Sequence, residues 1–113
     1  MLIIETSEEL LPARNVGWIV RSLGERGILG AVDAVLVARP PVSDRTRRPP
    51  APHRARLRTD QRDAIVEMVS RYHPEAVVCV GIPFGHTRPQ WILPHGGTIT
   101  VDGTERRVFA DYR

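Results

Sequence analysis

The sequence predicts an α/β domain with a mainly parallel sheet, flanking helices and a small C-terminal β extension. Three short apolar runs, at residues 2–5, 31–38 and 76–81, have the composition of buried strands. The two stretches between them carry apolar residues at helical spacing. Apolar strands that alternate with amphipathic helices are typical of a parallel sheet, because parallel neighbours need a crossover connection that is usually a helix.

The first helix is predicted from Pro12 to about Gly24 or Gly27. Proline suits the first turn of a helix, since the N–H that it lacks would have no partner there. Glycine is a common stop signal after the last turn. The apolar face repeats at i, i+3, i+4 and i+7 and consists of Val16, Ile19, Val20 and Leu23.

A second helix is predicted from Thr59 or Asp60, either of which can cap it, to His73 and Pro74, which end it. Its apolar face has the same spacing and consists of Ile65, Met68, Val69 and Tyr72. Residues 40–57, ahead of this helix, are rich in Pro and Arg without periodicity, so we expect a long loop there.

Short strands are predicted after the third apolar run, at "WIL" (91–93), "GTITV" (97–101) and "RRVFAD" (106–111). The last two are joined through "DGTE" (102–105), where Asp102 and Gly103 favour a hairpin turn. No internal repeat marks a second domain, and 113 residues is near the common size of one domain.

Composition limits the class of protein. The chain has 42% hydrophobic and 26% charged residues, which is typical of a globular protein. No apolar run approaches the ~18 residues of a membrane span, and the N-terminus lacks the regions of a secretory leader. We therefore expect a cytoplasmic protein without a membrane partner. The single cysteine, Cys79, cannot form an internal disulfide and is expected to be a buried, inert thiol.

The basic residues, all of them Arg, concentrate in residues 39–62, and the net charge is +3. A basic run can bind phosphates, so one functional hypothesis is a stand-alone module that binds anionic ligands or nucleic acid. Neutralising Arg45, Arg47 and Arg48 would then abolish a salt-sensitive binding. The run lacks interleaved aromatic residues and contains several prolines, which favours a solvated loop over a nucleic-acid partner.

Candidate chemistry lies at the carboxyl ends of the predicted strands, where α/β proteins commonly place functional groups. Glu5 follows the first run, Arg39 the second, and "GIPFGH", which ends at His86, the third. At the ends of parallel strands Glu5 and His86 could meet, and a carboxylate beside an imidazole is the orienting half of a nucleophile–base–acid triad. From the pattern alone, an exposed strand-end carboxylate and a turn histidine are the better-supported alternatives.

Neither a nucleophile nor a metal centre accompanies the pair in the sequence. The four His are isolated, and no two have the spacing of a zinc helix. Ser7 lacks the G-x-S-x-G context, and Ser22, Ser43 and Ser70 lie in helix or loop segments without a nucleophile signature. The chain thus offers a base and an acid without a convincing nucleophile.

The blocks "LIIETSEE", "WIVRSLGERGILGAVDAVLVARP" and "GIPFGHTRPQWILPHGG", in this order, resemble the C-terminal domain of the serine LD-carboxypeptidase and microcin-C immunity peptidase family. The resemblance covers most of the chain outside residues 40–57 and implies a swivelling-type β/α fold. It implies that Glu5 and His86 belong to a Ser-His-Glu triad. The Ser and the oxyanion hole would lie on a Rossmann-like N-terminal domain that these 113 residues do not contain.

The same resemblance implies the other site residues and the partners. Gly85 would permit a positive φ or a close approach beside the base, while Thr87 and Arg88 would support the turn or meet substrate. The partners would be the Ser-bearing domain and a peptide-like small molecule, either a murein tetrapeptide or a peptidyl- or aminoacyl-nucleotide, and no metal or organic cofactor is implied. The chain alone is expected to be inactive. A third hypothesis, independent of the resemblance, is a domain that only completes an oligomer or a partner chain and that forms a homodimer through an exposed apolar face when isolated. "GHTRP" looks closer to the microcin-immunity branch, whereas "LPHGG" departs from the family's usual "LPLG".

Overall fold

The computed structural model describes residues 1–7 and 10–113 and confirms the α/β prediction. Strands β1, β2 and β3 form a parallel sheet in that order, and β4 and β5 form a separate antiparallel pair. The strands are β1 (Leu2–Ile4), β2 (Ala34–Ala38), β3 (Val77–Ile82), β4 (Thr98–Asp102) and β5 (Arg107–Asp111). The helices are α1 (Ala13–Glu25) and α2 (Ala51–Tyr72), with a 3-10 turn at Leu29–Ala31.

Strand β2 lies between the other two strands, and both of its faces are buried. Val35 and Val37 pack with the helices, whereas Leu36 and Ala38 pack on the side of the β4–β5 hairpin. A strand that is covered on both faces has no polar side, which explains the continuous apolar run in its sequence. The sheet is therefore the middle layer of three, between the helices and the hairpin.

The side of the sheet under the helices holds the main core. Its buried members, here called the helix-side core, are Val16, Val20, Leu29, Val35, Val37, Ile65 and Val69. Fully burying one such side chain contributes about 1.5–3 kcal/mol. Ile19, which the helical spacing assigned to the same face, is 56% exposed, so the buried stripe of α1 is narrower than predicted. Within the described residues, neither helix is long and apolar enough to cross a bilayer.

The other side holds a smaller group, here called the hairpin-side cluster, whose buried members are Leu36, Ala38 and Phe84. The hairpin that covers it follows the prediction, with β4 ending at Asp102 and β5 beginning at Arg107. Asp102 Oδ1 accepts hydrogen bonds from the backbone N–H groups of Thr104 and Glu105, both 2.9 Å long, and these bonds close the turn.

Helix α2 begins earlier than predicted, at Ala51, and the expected caps Thr59 and Asp60 lie within the helix. The loop predicted over residues 40–57 is therefore too long and ends at Pro50. The prolines suggested a loop but mark a helix start, because proline is accommodated in the first turn. The Ala and Arg residues that follow are good helix formers and extend the helix without an apolar pattern.

The strand predicted at residues 91–93 is wrong. Trp91 and Ile92 are 52% and 80% exposed, and this segment pairs with none of the five described strands. Its backbone is instead bonded to the turn after β3, where the N–H of Trp91 donates to the carbonyl of Pro83. Pro89 and Pro94 flank the three residues, which keeps the extended segment too short for a ladder.

Candidate active site

The carboxyl ends of β1, β2 and β3 lie at one edge of the sheet, because the strands are parallel. Glu5 directly follows β1, and the segment after β3 carries His86. Since β2 separates these two strands, their axes lie about 10 Å apart at a spacing of ~4.8 Å per strand. The segment after β3 must therefore cross the end of β2 to bring His86 to Glu5.

A β-bulge at the end of β3 starts this crossing. The two strands pair in register as far as Val37 and Val80, and the register then shifts so that Gly81 is unpaired. Gly81 has a φ of +77°, which glycine adopts without steric cost, and a bulge bends the strand that contains it. Beyond the bulge, Phe84 is buried against Leu36 and anchors the crossing segment over β2.

Gly85 makes a close approach to Glu5. Its φ is +71°, in the left-handed region that favours glycine. A β-carbon at residue 85 would also overlap Oε2 of Glu5, so a side chain here would push the turn and the carboxylate apart. Glycine is therefore required at this position both by the backbone conformation and by the space available.

His86 and Glu5 lie in contact although 81 positions separate them in the sequence. Nδ1 of His86 lies 3.3 Å from Oε2 of Glu5, beyond the usual length of a hydrogen bond between nitrogen and oxygen. Because a carboxylate can only accept, the contact requires a proton on Nδ1, and in the neutral imidazole Nε2 is then the acceptor. The side chains are 45% and 44% exposed, so water screens the pair and it contributes little to folding.

The turn that follows Phe84 is held by its own hydrogen bonds. The backbone N–H of Thr87 donates to the Gly85 carbonyl over 2.9 Å, and the N–H of Trp91 donates to Pro83. The side-chain amide of Gln90 donates to the same Gly85 carbonyl. Sequence analysis missed this contact, since a polar residue in an aperiodic segment carries no signal of its partner.

The other residues singled out from the sequence lie at the same edge. Thr87 is half-buried and Arg88 is exposed, and both lie on the turn after β3. Arg39, at the end of β2, is half-buried, and its backbone N–H donates to the Ile82 carbonyl over 2.8 Å. Contact of Thr87 or Arg88 with substrate stays a prediction.

An open groove of about 940 Å³ runs beside the pair. Its walls are formed by β1, by the turn after β3 and by the segment that leads into β4. Glu5, Trp91, Ile92 and His95 line it. The groove places the Glu5 carboxylate and the neighbouring Gly85 beside an apolar wall, which suits a ligand with a polar reacting centre and an apolar part.

No hydrogen bond joins His86 to a hydroxyl or a thiol within residues 1–7 and 10–113. The hydroxyl of Ser22 donates to Trp18 within α1. Cys79 is partly buried, not fully buried as expected, and desolvation raises the pKa of its thiol, which makes it a poor nucleophile at neutral pH. The described part of the chain also contains no group of three His, Cys, Asp or Glu side chains that could hold a metal ion.

Part of the basic segment is helical, because α2 begins at Ala51. Two of its arginines have local partners: Arg54 donates to the Pro49 carbonyl over 2.7 Å, and Arg62 pairs with Asp63 at 2.8 Å. Binding of anionic ligands or nucleic acid by this segment stays an untested prediction.

Comparison with known families identifies the domain. A family model described as the LD-carboxypeptidase C-terminal domain matches residues 1–101. The chain belongs to this family. The match runs from β1 into β4, so the LD-carboxypeptidase domain includes Glu5, His86 and the groove beside them. Neither the curated proteins nor the solved structures gave a significant match. The family is one of peptidases, which indicates hydrolase activity in the intact protein.

Proposed function

We propose that this chain supplies the acid and the base of a Ser-His-Glu triad, and that a Ser-bearing N-terminal domain supplies the nucleophile. The observation that carries the proposal is the contact between Nδ1 of His86 and Oε2 of Glu5 at the carboxyl edge of the sheet. Membership of a peptidase family supports amide hydrolysis as the reaction. The pair supports this assignment because its Nδ1 is occupied by the acid, which leaves Nε2 for the nucleophile.

In the proposed reaction, Nε2 of His86 takes the proton of the serine hydroxyl while the serine oxygen attacks the carbonyl carbon of the substrate amide. The carboxylate of Glu5 stabilises the imidazolium and keeps the ring oriented. His86 then gives the proton to the leaving nitrogen, the C–N bond breaks and an acyl-enzyme remains. Water, deprotonated by the same Nε2, attacks the ester carbonyl; the C–O bond to serine breaks, and His86 returns the proton to the serine oxygen.

Docking of the Ser-bearing domain would change the surroundings of the pair. In the chain alone, both side chains are nearly half exposed, and water weakens the attraction between them. Excluding that water strengthens the interaction of the carboxylate with the imidazolium that forms. Contacts of this kind often tighten only in the assembled complex. The chain alone is expected to be inactive, because the proposed serine nucleophile belongs to the other domain.

The open groove beside the pair supports a peptide-like substrate, and the proposed reaction takes place in the cytoplasm. Two classes fit: the L,D-bond of a murein tetrapeptide, and the amide of a peptidyl- or aminoacyl-nucleotide as in microcin immunity. Arg88 is exposed on the same turn as His86, and its guanidinium could pair with a carboxylate of the first class or a phosphate of the second.

The test places a Ser-bearing domain of this family ahead of the chain and measures turnover of an LD-tetrapeptide and of a peptidyl-adenylate. We expect turnover by the two-domain protein and none by the chain alone. Glu5→Gln should lower kcat by about 10³- to 10⁴-fold, as loss of an orienting acid does elsewhere, and His86→Ala by at least as much.

His53→Ala is the matched control, because His53 is a second exposed histidine, lies on α2 and does not line the groove. It should keep the parent kcat. Full activity of the His86→Ala protein, or equal turnover by the chain alone and the two-domain protein, would refute the proposal.

A further inference from the structure

We propose that Gln90 is a positioning residue for His86. Its side-chain amide holds the carbonyl of Gly85 and thereby fixes the imidazole in the orientation that meets Glu5. The inference rests on the role proposed above for the Glu5–His86 pair, but the measurement that decides it does not depend on activity.

The hydrogen bond from Gln90 acts on the peptide unit that carries His86. The acceptor is the carbonyl oxygen of Gly85, which belongs to the peptide bond that joins Gly85 to His86. Rotation of this peptide plane turns the Cα–Cβ bond of His86 and moves the imidazole relative to Glu5. An amide bound to the carbonyl therefore restrains the ring through the backbone.

The Gln90 hydrogen bond restrains a part of the backbone that has unusual conformational freedom, because the residue there is Gly85. Gly85 has no β-carbon, so sterics allow its flanking peptide planes more orientations than any other residue would. The N–H of Thr87 already donates to the Gly85 carbonyl. A carbonyl oxygen has two lone pairs, so the Gln90 amide can add a second restraint without displacing the first.

Close packing on both sides of the turn couples any shift of the Gly85 carbonyl to the Glu5–His86 pair. On one side, Phe84 is buried in the hairpin-side cluster and cannot move freely. On the other, Gly85 lies so close to the Glu5 carboxylate that a β-carbon would overlap it. Because these two contacts restrict the turn on both sides, loss of the Gln90 hydrogen bond is expected to change the orientation of His86.

Gln90 is itself exposed and lines the groove. An exposed hydrogen bond contributes little to folding, because water replaces it readily. Its removal is therefore expected to change the orientation of His86 far more than the stability of the chain. If Gln90 only stabilised the turn, its removal would lower the stability of the chain and leave the orientation of His86 unchanged.

The test is ¹⁵N NMR of the 113-residue chain, which reports whether the neutral imidazole of His86 carries its proton on Nδ1 or on Nε2. In the parent chain we expect mainly Nδ1–H, facing Glu5. Gln90→Met removes the donor at similar length, and Gln90→Glu keeps the shape without a donor at neutral pH. Both should lose about half or more of the Nδ1–H form and approach Glu5→Met, which has no acceptor.

Tyr112→Phe is the matched control, because the Tyr112 hydroxyl donates to the backbone carbonyl of Ile92 over 2.6 Å in the same segment. It removes one side-chain-to-carbonyl hydrogen bond without touching the peptide bond of His86, so the tautomer ratio should stay at the parent value. In the two-domain protein, Gln90→Met should lower kcat about tenfold or more with KM nearly unchanged.

A parent tautomer ratio in whichever of Gln90→Met and Gln90→Glu is folded would overturn the inference, whatever happens to the melting temperature. Loss of the Nδ1–H form in these variants, together with full activity of the His86→Ala two-domain protein, would retain the role of Gln90 and remove the proposed function. A parent tautomer ratio in the Gln90 variants, together with an inactive His86→Ala two-domain protein, would remove the role of Gln90 and retain the proposed function.

Discussion

The two sides of the three-stranded sheet are covered unequally. The helix-side core buries side chains from both helices, the 3-10 turn and β2, whereas the hairpin-side cluster has three buried members and borders an open groove. Glu5 and His86 lie where the open side meets the ends of the strands. The helices therefore hold the strands in register, and the candidate site lies at an edge that contributes little to stability.

The largest expected effect sharpens this contrast with one substitution on each side. Ile65→Ala in the helix-side core should lower the free energy of unfolding by about 2–5 kcal/mol, because it leaves a cavity under α2. Ile92→Ala on the groove wall, where the side chain is 80% exposed, should change it by less than about 0.5 kcal/mol. Urea denaturation measures both. Equal losses would mean that the groove wall is covered in solution, as in a homodimer.

A second pair compares two glycines with similar backbone conformations. Gly27, after α1, and Gly85 have φ values of +77° and +71°. Gly27→Ala meets no atom within 4 Å and should cost about 1–2 kcal/mol from conformation alone. Gly85→Ala should cost more, because its β-carbon also displaces the Glu5 carboxylate.

The two glycine variants should also differ in the site itself. NMR should show the Nδ1 proton of His86 lost in Gly85→Ala and retained in Gly27→Ala. Equal stability losses with an intact Nδ1 proton in both would contradict the close approach of Gly85 to Glu5.

The hairpin offers a smaller effect on the open side. Asp102→Ala removes the two hydrogen bonds that close the β4–β5 turn and should cost about 1 kcal/mol. Glu105→Ala, in the same turn, keeps both hydrogen bonds, because residue 105 donates through its backbone N–H, and should be nearly neutral. Amide exchange should rise in β4 and β5 and stay unchanged in α1 and α2. Increased exchange in the helices would show that the two sides are not independent.

The smallest expected effect concerns Cys79, whose side chain lies against the hairpin-side cluster. Partial burial raises the pKa of this thiol, so less thiolate is present at a given pH than in the unfolded chain. Alkylation at pH 8 should be several-fold slower for the folded chain than for the chain in urea, by roughly the fall in thiolate fraction. The rate for the folded chain should continue to rise at pH values where the unfolded rate has levelled off. Equal rates in both states would place Cys79 in water.

Periodicity was a reliable guide where burial dictates the residue type. The continuous apolar run of β2 follows from burial on both faces, and the spacing of Val16 and Val20 follows from one buried face of a helix. The parallel order of the strands also let the sequence place Glu5 and His86 at one edge, where the structure puts them 3.3 Å apart. Their catalytic roles stay predictions.

Features that depend on tertiary contacts, or on how a turn closes, left no periodic pattern in the sequence. The start of α2 lies in a polar, Pro- and Arg-rich stretch, where solvent-facing residues carry no apolar pattern. Residues 91–93 have strand-like composition but no neighbouring strand to pair with. The bond from Gln90 to Gly85 depends on how the turn closes, which one-dimensional spacing cannot show.

The two residues of the candidate site are held by parts of the fold that differ in local stability, because Glu5 follows the short strand β1. This strand is three residues long and, among the strands of residues 1–7 and 10–113, pairs with β2 alone, which makes it an edge strand. Short edge segments open locally at a free energy below that of global unfolding. The base, on a turn backed by the buried Phe84, should persist through such openings, whereas the acid should leave with β1. The lifetime of the Glu5–His86 contact is then set by the pairing of β1 with β2. A partner that covers the outer edge of β1 would lengthen this lifetime without touching either side chain.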